Sequence, residues 1–365
     1  MFLPELEPVS PYGVRHCERH RQASDGPVSR ADNSIEREAP PAASSEAAGA
    51  LLRTWAGLRK SLISIPDREV LVSTRGFDVR RPEIVKQLED VGRAFVTGYN
   101  TAAGAVSVAS LAEALDATPP SHRGFVYEGA SMGLAVADFL TPFSRLWREF
   151  AQTAGGPHIY MVYVGYGWAL ARLPTPVLPP VMRLDQPIRW LAMDGYGFHQ
   201  GYFHWRRYVR DAAPPDKFTG YAARAFDQGL GRSLWFVQGA DPDKVAQAIA
   251  YFAPQRAGDL WAGVGLAATY AGGAAREPLE RLRALAGPHY PHLAQGAVFA
   301  AQARQRAGAF VEHNDLACRV LCDAPFGRIS QIALECYPSG SGDDAGLEPY
   351  EVWRMRIRRR FGSAD

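Results

Sequence analysis

The sequence predicts a mainly α-helical protein built from repeated helical hairpins, arranged as an α-solenoid or as a closed α/α ring. One observation is a glycine that recurs every 28 to 36 residues, each time inside an apolar, aromatic stretch. A second is a small residue four positions after most of these glycines. Repeats of this length are typical of helical-hairpin arrays. The pairs are Gly129 with Gly133, Gly165 with Ala169, Gly229 with Ser233, Gly263 with Ala267, and Gly296 with Ala300.

The glycine spacing has a geometric meaning. Positions i and i+4 lie on one face of a helix, so small residues there let two helices come closer than the usual separation of about 8–10 Å. That close approach can offset the cost of about 1 kcal/mol for a glycine in a helix interior. Gly201 keeps the spacing but has Trp205 at the fourth position. We therefore expect the glycine-bearing helices to be clamped by their neighbours.

The N-terminal region differs in composition from the rest. Residues 1–50 are rich in Arg, Ser, Pro, Ala and Glu with little apolar periodicity, which predicts a flexible leader. Helical periodicity begins near Leu51, and residues 51–365 are predicted to form a single helical repeat domain. The β-branched residues Val70 and Val72, followed by Gly76, leave room for a short strand near residues 70–79.

Helix boundaries support hairpins in the second half. Asp241 followed by Pro242 is a typical helix start, and Asp259 is expected to cap the next helix, which would stop at Gly272. The Pro-rich segment 174–187 is predicted to be an irregular connection between two halves of the repeat region. The stretch HIYMVYVGYGW around Gly165 could pass for a strand by composition, so it is the least regular copy of the repeat.

Bulk composition excludes several classes of function. Lys and Arg total 40 against 38 Asp and Glu, a net charge of +2, which argues against nucleic acid as a partner. No stretch reaches the roughly 18 apolar residues that a membrane span needs. The chain has four cysteines, unevenly spaced, so a disulfide framework is not expected and the cytoplasm is the predicted location. Beside Cys318 and Cys322 only His313 is near in sequence as a further ligand, so a metal site is not expected there.

The densest candidate for chemistry is the segment LAMDGYGFHQGYFHWRRYVR, residues 191–210. It contains Asp194, His199 and His204. The histidines are five positions apart, about 140° around a helix, which disfavours a shared metal but allows one of them to act as a general acid or base beside Asp194. The simpler alternative is that Asp194 caps the helix while the histidines fill a seam between repeats.

Two further acids stand just before repeat glycines. Glu128 precedes Gly129 directly, and Asp227 precedes Gly229 with one residue between. Equivalent positions in a hairpin array line one inner surface, so we expect both acids to converge with Asp194 on a single cavity. The alternative is capping and dipole complementarity at helix N-termini. Aromatic residues expected to line the cavity and bind substrate are Tyr127, Tyr202, Phe203, Phe226 and Trp235.

The sequence contains no recognisable cofactor motif. It has no Walker-type phosphate loop, and Gly195 and Gly197 lack the third glycine and the preceding strand of a dinucleotide fingerprint. We therefore predict no cofactor and no metal, although a haem with an axial histidine stays conceivable.

Several blocks of the chain resemble a bacterial family of unknown function. They are RGFVYEGASMGLA, HIYMVYVGYGWALARL, DGYGFHQGYFHWRR, RAFDQGLGRSLWF, DLWAGVGLAATYAGG and PHLAQGAVFAAQAR, within roughly residues 70–325. Members of that family are often labelled enediyne biosynthesis proteins, from the gene clusters in which they occur. The resemblance implies a context of polyketide assembly and no particular catalytic residues.

Two classes of function follow. The first is a cofactor-independent enzyme that cyclises or isomerises an unsaturated, polyketide-derived chain, with Glu128, Asp194, His199, His204 and Asp227 supplying protons in an apolar cavity. The second is a helical-repeat scaffold that binds biosynthetic protein partners along a concave surface. A closed apolar pocket with convergent acids favours the enzyme, whereas an open groove favours the scaffold.

Overall fold

The computed structural model describes residues 42–79, 81–141, 144–338 and 346–362, with the backbone alone for residues 42–48. The chain divides into residues 1–46 and residues 47–365, and the second unit is described below. Within the described ranges every regular element is helical. The α-helices are α1 (Ala42–Ile63), α2 (Val72–Arg75), α3 (Pro82–Ala103), α4 (Val108–Asp116), α5 (Pro120–Leu140), α6 (Leu146–Gln152), α7 (Ile159–Leu170), α8 (Leu178–Val181), α9 (Leu191–Phe203), α10 (Gly220–Val237), α11 (Pro242–Ala250), α12 (Pro254–Ala271), α13 (Arg276–Ala286), α14 (Tyr290–Arg306), α15 (Glu312–Cys322), α16 (Phe326–Glu335) and α17 (Pro349–Arg358).

These helices form an inner row and an outer row. The inner helices α3, α5, α7, α9, α10, α12, α14 and α16 pack side by side in chain order. In the second half an outer helix separates each pair of inner helices along the chain, and α11, α13 and α15 pack on one another in turn. The predicted order of outer and small-residue helices is confirmed. Between α9 and α10 a π-helical segment, Arg206–Arg210, and a loop replace the outer helix.

Backbone-to-backbone contact at the repeat glycines holds the inner row together. A Cβ atom at Gly229 would lie 1.8 Å from the carbonyl oxygen of Asp194 on α9. At Gly263 and Gly296 the corresponding distances, to carbonyl oxygens of the preceding inner helix, are both 1.9 Å. No side chain fits in these contacts. The glycines are therefore required by close helix packing, as the spacing predicted.

A second glycine, two positions after the first, clamps the other side of several inner helices. On α7, a Cβ at Gly165 would meet the Glu128 carbonyl of α5 at 2.0 Å, whereas one at Gly167 would meet the Ala192 carbonyl of α9 at 1.9 Å. Two residues correspond to about 200° around a helix, so the two glycines of a Gly-x-Gly pair contact the neighbouring helices on opposite sides. Gly229 and Gly231 on α10 do the same towards α9 and α12.

The inner row curls so that its early helices meet its late ones. Gln87 of α3 donates a hydrogen bond to the carbonyl of Ala271 at the end of α12, at 2.9 Å. Arg304 of α14 is buried and donates to the carbonyl of Ser121 on α5, at 3.1 Å. Across the interior, the rings of Phe125 and Tyr270 lie 5.3 Å apart. The inner helices therefore surround a common interior.

The short strand suggested near residues 70–79 is wrong. Asp67–Val70 is a 3-10 turn and Val72–Arg75 is one helical turn, ended by Gly76 at φ 72°. Val70 and Val72 are buried, and Val70 packs so tightly on α3 that a Cβ at Gly92 would lie 2.8 Å from it. Burial against a helix, and not pairing in a sheet, explains these β-branched residues.

Other boundaries were predicted with mixed success. The Asp241 side chain caps α11, with Pro242 at its first position, and α12 ends at Gly272, as predicted. Asp259 does not cap α12, which begins five residues earlier at Pro254. The stretch HIYMVYVGYGW lies in helix, not strand. The Pro-rich connection includes one helical turn, α8, and α1 begins ahead of Leu51. The rest of the predicted leader, residues 1–41, lies outside the described residues.

Candidate active site in an interior cavity

The curled row encloses a narrow apolar cavity. Together with the solvent space at its mouth it has a volume of about 770 Å³, and little of that is wide enough for a water molecule. The cavity is therefore narrow, and we call it the slot. Side chains of α3, α5, α7, α9, α10 and α12 form its walls, among them Leu88, Phe95, Phe125, Met132, Trp168, Phe198, Phe236 and Leu266.

Charged side chains occupy one wall of this apolar slot. Glu128 of α5 and Arg232 of α10 both line the cavity and are almost completely buried. The guanidinium of Arg232 lies 2.5 Å from a carboxylate oxygen of Asp194 and 3.9 Å from one of Glu128. It also lies 4.7 Å from the centre of the Phe198 ring. One cation therefore joins two of the predicted acids.

Asp194 is held by α10 and not by its own helix end. Gln228 Nε2 donates a hydrogen bond of 2.8 Å to its second carboxylate oxygen and one of 2.9 Å to the hydroxyl of Tyr350. Gln228 and Arg232 are four residues apart, so they present neighbouring groups from one face of α10. The alternative that Asp194 caps α9 is wrong, since the helix begins at Leu191 with no side-chain cap.

Glu128 has the properties of an acid–base group at neutral pH. Burial raises its pKa to about 7; Arg232 opposes the rise and Asp194 adds to it. The nearby indole N–H of Trp168 also lowers this pKa. A carboxyl with a pKa near the ambient pH can both give and take a proton, which is what general acid–base catalysis requires.

The cavity wall carries buried polar atoms that make no hydrogen bond. Glu128 Oε1, Trp168 Nε1, Arg232 Nε and the Tyr270 hydroxyl are all buried, and within the described part of the chain none has a hydrogen bond. All four residues line the cavity. Buried polar atoms are normally satisfied, and each unsatisfied one costs roughly 1–3 kcal/mol. Their gathering at one wall indicates a place for polar or π-bonded atoms of a ligand.

A smaller apolar cavity lies beyond this wall. It contains about 400 Å³ of empty space and shares Arg232, Leu266 and Tyr270 with the main cavity. Its far end is formed by Phe299 of α14 and Trp353 of α17, whose rings are 4.5 Å apart. The charged wall therefore stands between two apolar spaces.

The outer end of the main cavity has a polar rim. Arg172 is exposed and lines the cavity, and Glu69 lies at the same end. Arg75 forms an ion pair with Glu69, and its guanidinium lies 4.9 Å from the centre of the Phe203 ring. These side chains stand where a ligand would enter.

The histidines predicted for catalysis are placed differently. His199 is buried between the rings of Trp168 and Phe203, at 5.5 and 4.7 Å, and burial lowers its pKa to about 3. The lowered pKa keeps His199 neutral at pH 7. The ring does not line the cavity and lies behind its aromatic side chains. His204 is exposed at the end of α9 and faces away from the cavity. The structure supports neither as a proton donor beside Asp194.

Asp227 does not converge with the other acids, contrary to the sequence prediction. Both its carboxylate oxygens accept hydrogen bonds from Arg256, at 2.6 and 2.9 Å. Arg256 in turn donates to the carbonyls of Ala212 and Ala213 in the loop after α9. Asp227 precedes Arg232 by five residues, about 140° around α10, so the two side chains leave the helix on different faces. Its observed contacts anchor a loop.

The predicted substrate-binding aromatics divide into two groups. Tyr202 and Phe203 line the cavity. Tyr127 stacks on His158 at 3.9 Å and donates its hydroxyl proton to Asp116, while Trp235 donates to the carbonyl of Gly272. Phe226 packs elsewhere against aromatic rings, 5.5 Å from that of Tyr208. These last three residues do not line the cavity and belong to helix packing.

Sequence reasoning missed Arg232, Trp168 and Tyr270. Arg232 was detectable, since it is a charged residue inside the apolar block FDQGLGRSLWF, one position after the second glycine of a Gly-x-Gly pair. Trp168 and Tyr270 give no such signal, because buried aromatics are common in helical cores. In the described ranges no group of three or more His, Cys, Asp or Glu side chains is arranged to hold a metal ion.

The raised pKa of Glu128 predicts a pH-dependent stability. Its folded-state pKa of about 7 exceeds the ordinary value of 4.5, so the folded protein binds this proton more tightly than the unfolded chain. The contribution is full below about pH 4.5 and is lost as the pH rises to about 7, by roughly 3 kcal/mol in all. We expect the free energy of unfolding, measured with urea from pH 4.5 to 8, to fall less steeply for Glu128→Gln than for the wild type. Parallel curves would contradict a raised pKa.

Comparisons with known proteins give the chain a family. No helix in the described ranges combines the length and apolar character that a membrane crossing requires. Neither the curated proteins nor the solved structures include a match to this chain. Residues 54–361 match the family described as "Protein of unknown function (DUF1702)". That match spans the helical region from α1 to α17, and the chain is therefore a member of the DUF1702 family.

Proposed function

We propose that this protein binds a slender, unsaturated apolar chain in its interior cavity and moves a double bond or closes a ring by acid–base chemistry at Glu128. The observation that carries the proposal is a narrow apolar slot whose charged wall holds four buried polar atoms without a hydrogen bond. Small-molecule sites are typically apolar with a few convergent polar groups.

The dimensions of the cavity support a linear ligand. A fused polycyclic molecule would need wide space, whereas a slender conjugated chain suits a cavity of which little is wide enough for a water molecule. The smaller cavity, which shares Arg232, Leu266 and Tyr270 with the main one, would take the part of the chain that extends beyond these residues. The reacting carbons would then lie in the middle of the ligand and not at its end.

Glu128 would act as both acid and base. Its carboxylic acid gives a proton to one carbon of the conjugated chain, and the resulting carboxylate removes a proton from another carbon. The chain keeps its composition while a double bond moves, or while a ring closes between the two steps. Arg232 stabilises the carboxylate between the steps, and Asp194 holds Arg232 in place.

The biological context is also part of the proposal. The resemblance to proteins labelled enediyne biosynthesis proteins supports a polyketide-derived chain as the natural ligand. Location in the cytoplasm stays a prediction from the sparse, unevenly spaced cysteines.

Binding is tested by filling the cavity. We expect a fluorescent conjugated polyene to bind the wild type and to lose at least tenfold in affinity in Ala267→Trp, because Ala267 lines the slot. The control is Ala114→Trp on exposed helix α4, which should leave affinity unchanged. Circular dichroism melting checks that each variant is folded. Equal affinities in folded Ala267→Trp and the wild type would refute the assigned binding site.

Chemistry is tested by hydrogen exchange into the ligand. A polyene recovered from natively purified protein and identified by mass spectrometry is incubated with the protein in D₂O. We expect deuterium to enter the chain, and Glu128→Gln to slow its entry by roughly 10²–10⁴-fold, the usual contribution of a general acid or base, with ligand affinity retained. An unchanged rate in Glu128→Gln would remove Glu128 from the mechanism.

The alternative, a scaffold for biosynthetic proteins, stays a prediction. The small-residue faces of the inner helices pack on one another, so these faces are not available to a protein partner. Native mass spectrometry of the protein from a producing cell distinguishes the two functions. A retained small molecule supports the enzyme, and a retained protein partner without one supports the scaffold.

A further inference from the structure

A wide polar cleft lies at the end of α9. It is formed by the π-helical segment Arg206–Arg210, the loop that follows, and the first turns of α10. It holds about 1210 Å³ of empty space, and the centre of a water molecule can move through about 590 Å³ of it. A larger part of the cleft than of the interior cavity is wide enough for water molecules. We call it the cationic cleft, with His204, Arg206, Arg207, Lys217, Tyr208 and Phe218 on its walls.

The cationic cleft has more positive than negative charge. Its walls carry Arg206, Arg207 and Lys217 but only one carboxylate, Asp216, which forms an ion pair with Arg207. Arg206 lies over the Trp205 ring, 4.9 Å from its centre. Neither Arg206 nor Lys217 has a carboxylate partner among the residues that the structure describes. The cleft therefore attracts anions.

The cleft adjoins the mouth of the interior cavity. Phe203 lines both spaces. Just after α7, Arg172 lines the cavity, while its neighbour Ala171 lines the cleft. The two spaces therefore adjoin at Phe203, where the end of a molecule that leaves the cavity would reach the cleft.

The far wall of the cleft is held by buried contacts. Arg256 binds the Asp227 carboxylate through two hydrogen bonds and donates to the carbonyls of Ala212 and Ala213. These contacts fix the loop that carries Lys217. Trp205 fixes the other side, because its indole N–H donates to the carbonyl of Arg75 at 2.9 Å. The cleft is thus preformed.

We infer that the cationic cleft binds the anionic end group, a carboxylate or a phosphate monoester, of the molecule whose apolar chain lies in the interior cavity. The inference rests on the proposed function and adds a charged head to the slender chain. The ligand is then amphipathic, with a broad anionic head outside Phe203 and a narrow unsaturated tail inside. Arg206 and Lys217 recognise the head by charge, and the slot recognises the tail by shape.

The inference is tested with a conjugated polyene fatty acid and its methyl ester. We expect the acid to bind at least tenfold more tightly than the ester. The double variant Arg206→Glu/Lys217→Glu should weaken binding of the acid at least tenfold and change that of the ester less than twofold. A matched control, Arg145→Glu/Arg148→Glu, changes the net charge equally at two exposed arginines outside the cleft and should affect neither. An alkyl phosphate of equal length distinguishes the two head groups by its relative affinity.

Two results would overturn the inference. One is equal affinity of the wild type for the acid and the ester. The other is that Arg206→Glu/Lys217→Glu lowers the affinity for both probes by the same factor. If neither probe binds, the proposed function fails for this class of chain. Anion binding in the cleft is then tested separately by adding inorganic pyrophosphate. A shift of the Trp205 indole NMR signal that is lost in Arg206→Glu/Lys217→Glu supports the anion site alone. The absence of any shift in the wild type refutes it.

Discussion

Replacing Gly229 by alanine lowers the free energy of unfolding by about 3 kcal/mol or more, at the upper end of what overpacking costs, because the obstacle is backbone. The added Cβ would lie 1.8 Å from the carbonyl oxygen of Asp194 and 2.8 Å from the amide nitrogen of Phe198. No rotamer change relieves such contacts, so α9 and α10 must move apart. Urea unfolding followed by circular dichroism measures the loss.

The control for Gly229 is Gly57, in the middle of helix α1. A Cβ at Gly57 meets no atom within 4 Å, so Gly57→Ala should stabilise the protein by up to about 1 kcal/mol, the propensity difference between glycine and alanine in a helix. A loss below 1 kcal/mol in Gly229→Ala would show that the inner helices are not locked by backbone contact. Because Asp194 forms part of the clash, the same variant should also weaken ligand binding.

Replacing Arg232 by methionine costs about 3–5 kcal/mol at pH 7, the usual loss when one partner of a buried ion pair is removed. Methionine fills much of the space but leaves the carboxylates of Asp194 and Glu128 buried without their cation. Protonation of Glu128, whose pKa is raised by burial, removes part of the uncompensated charge, so the loss should shrink as the pH is lowered. Chemical unfolding at pH 5 and pH 7 measures both effects.

A second change separates charge from packing at Arg232. If uncompensated charge is the cause, Asp194→Asn combined with Arg232→Met should be more stable than Arg232→Met alone at pH 7. Exposed Arg148, replaced by methionine, is the surface control and should leave stability unchanged. A double variant no more stable than the single one would assign the loss to packing.

The hairpin architecture was predictable because close helix packing requires a small residue at each contact, and these residues can be seen in the sequence. Gly263 and Gly296 are small for a local reason, contact with the backbone of the preceding inner helix, and that reason repeats with the hairpins. The curl of the inner row has no such sequence pattern. It depends on contacts such as Phe125 with Tyr270, far apart in sequence, and an aromatic residue in a helix looks the same whichever helix it meets.

The site was predictable in part for the same reason. Glu128 and Asp194 stood out as acids within apolar helices, where a charge needs an explanation. Asp227 stood out equally, yet it meets Arg256, because a shift of a few positions along α10 points a side chain to a different surface. Which acid meets which cation is decided by the packing of distant helices, and sequence spacing does not contain that information.

The Gly-x-Gly contacts separate the positions that hold the helices together from those that shape the interior. At Gly165 and Gly167 the helices touch through main-chain atoms, so this helix packing requires glycine at both positions. Phe95 and Leu266 also contribute main-chain atoms to such contacts, but their side chains lie on the cavity walls and are free to change in size. We therefore expect the cavity walls to vary among members of this family while the glycines that join the helices stay constant.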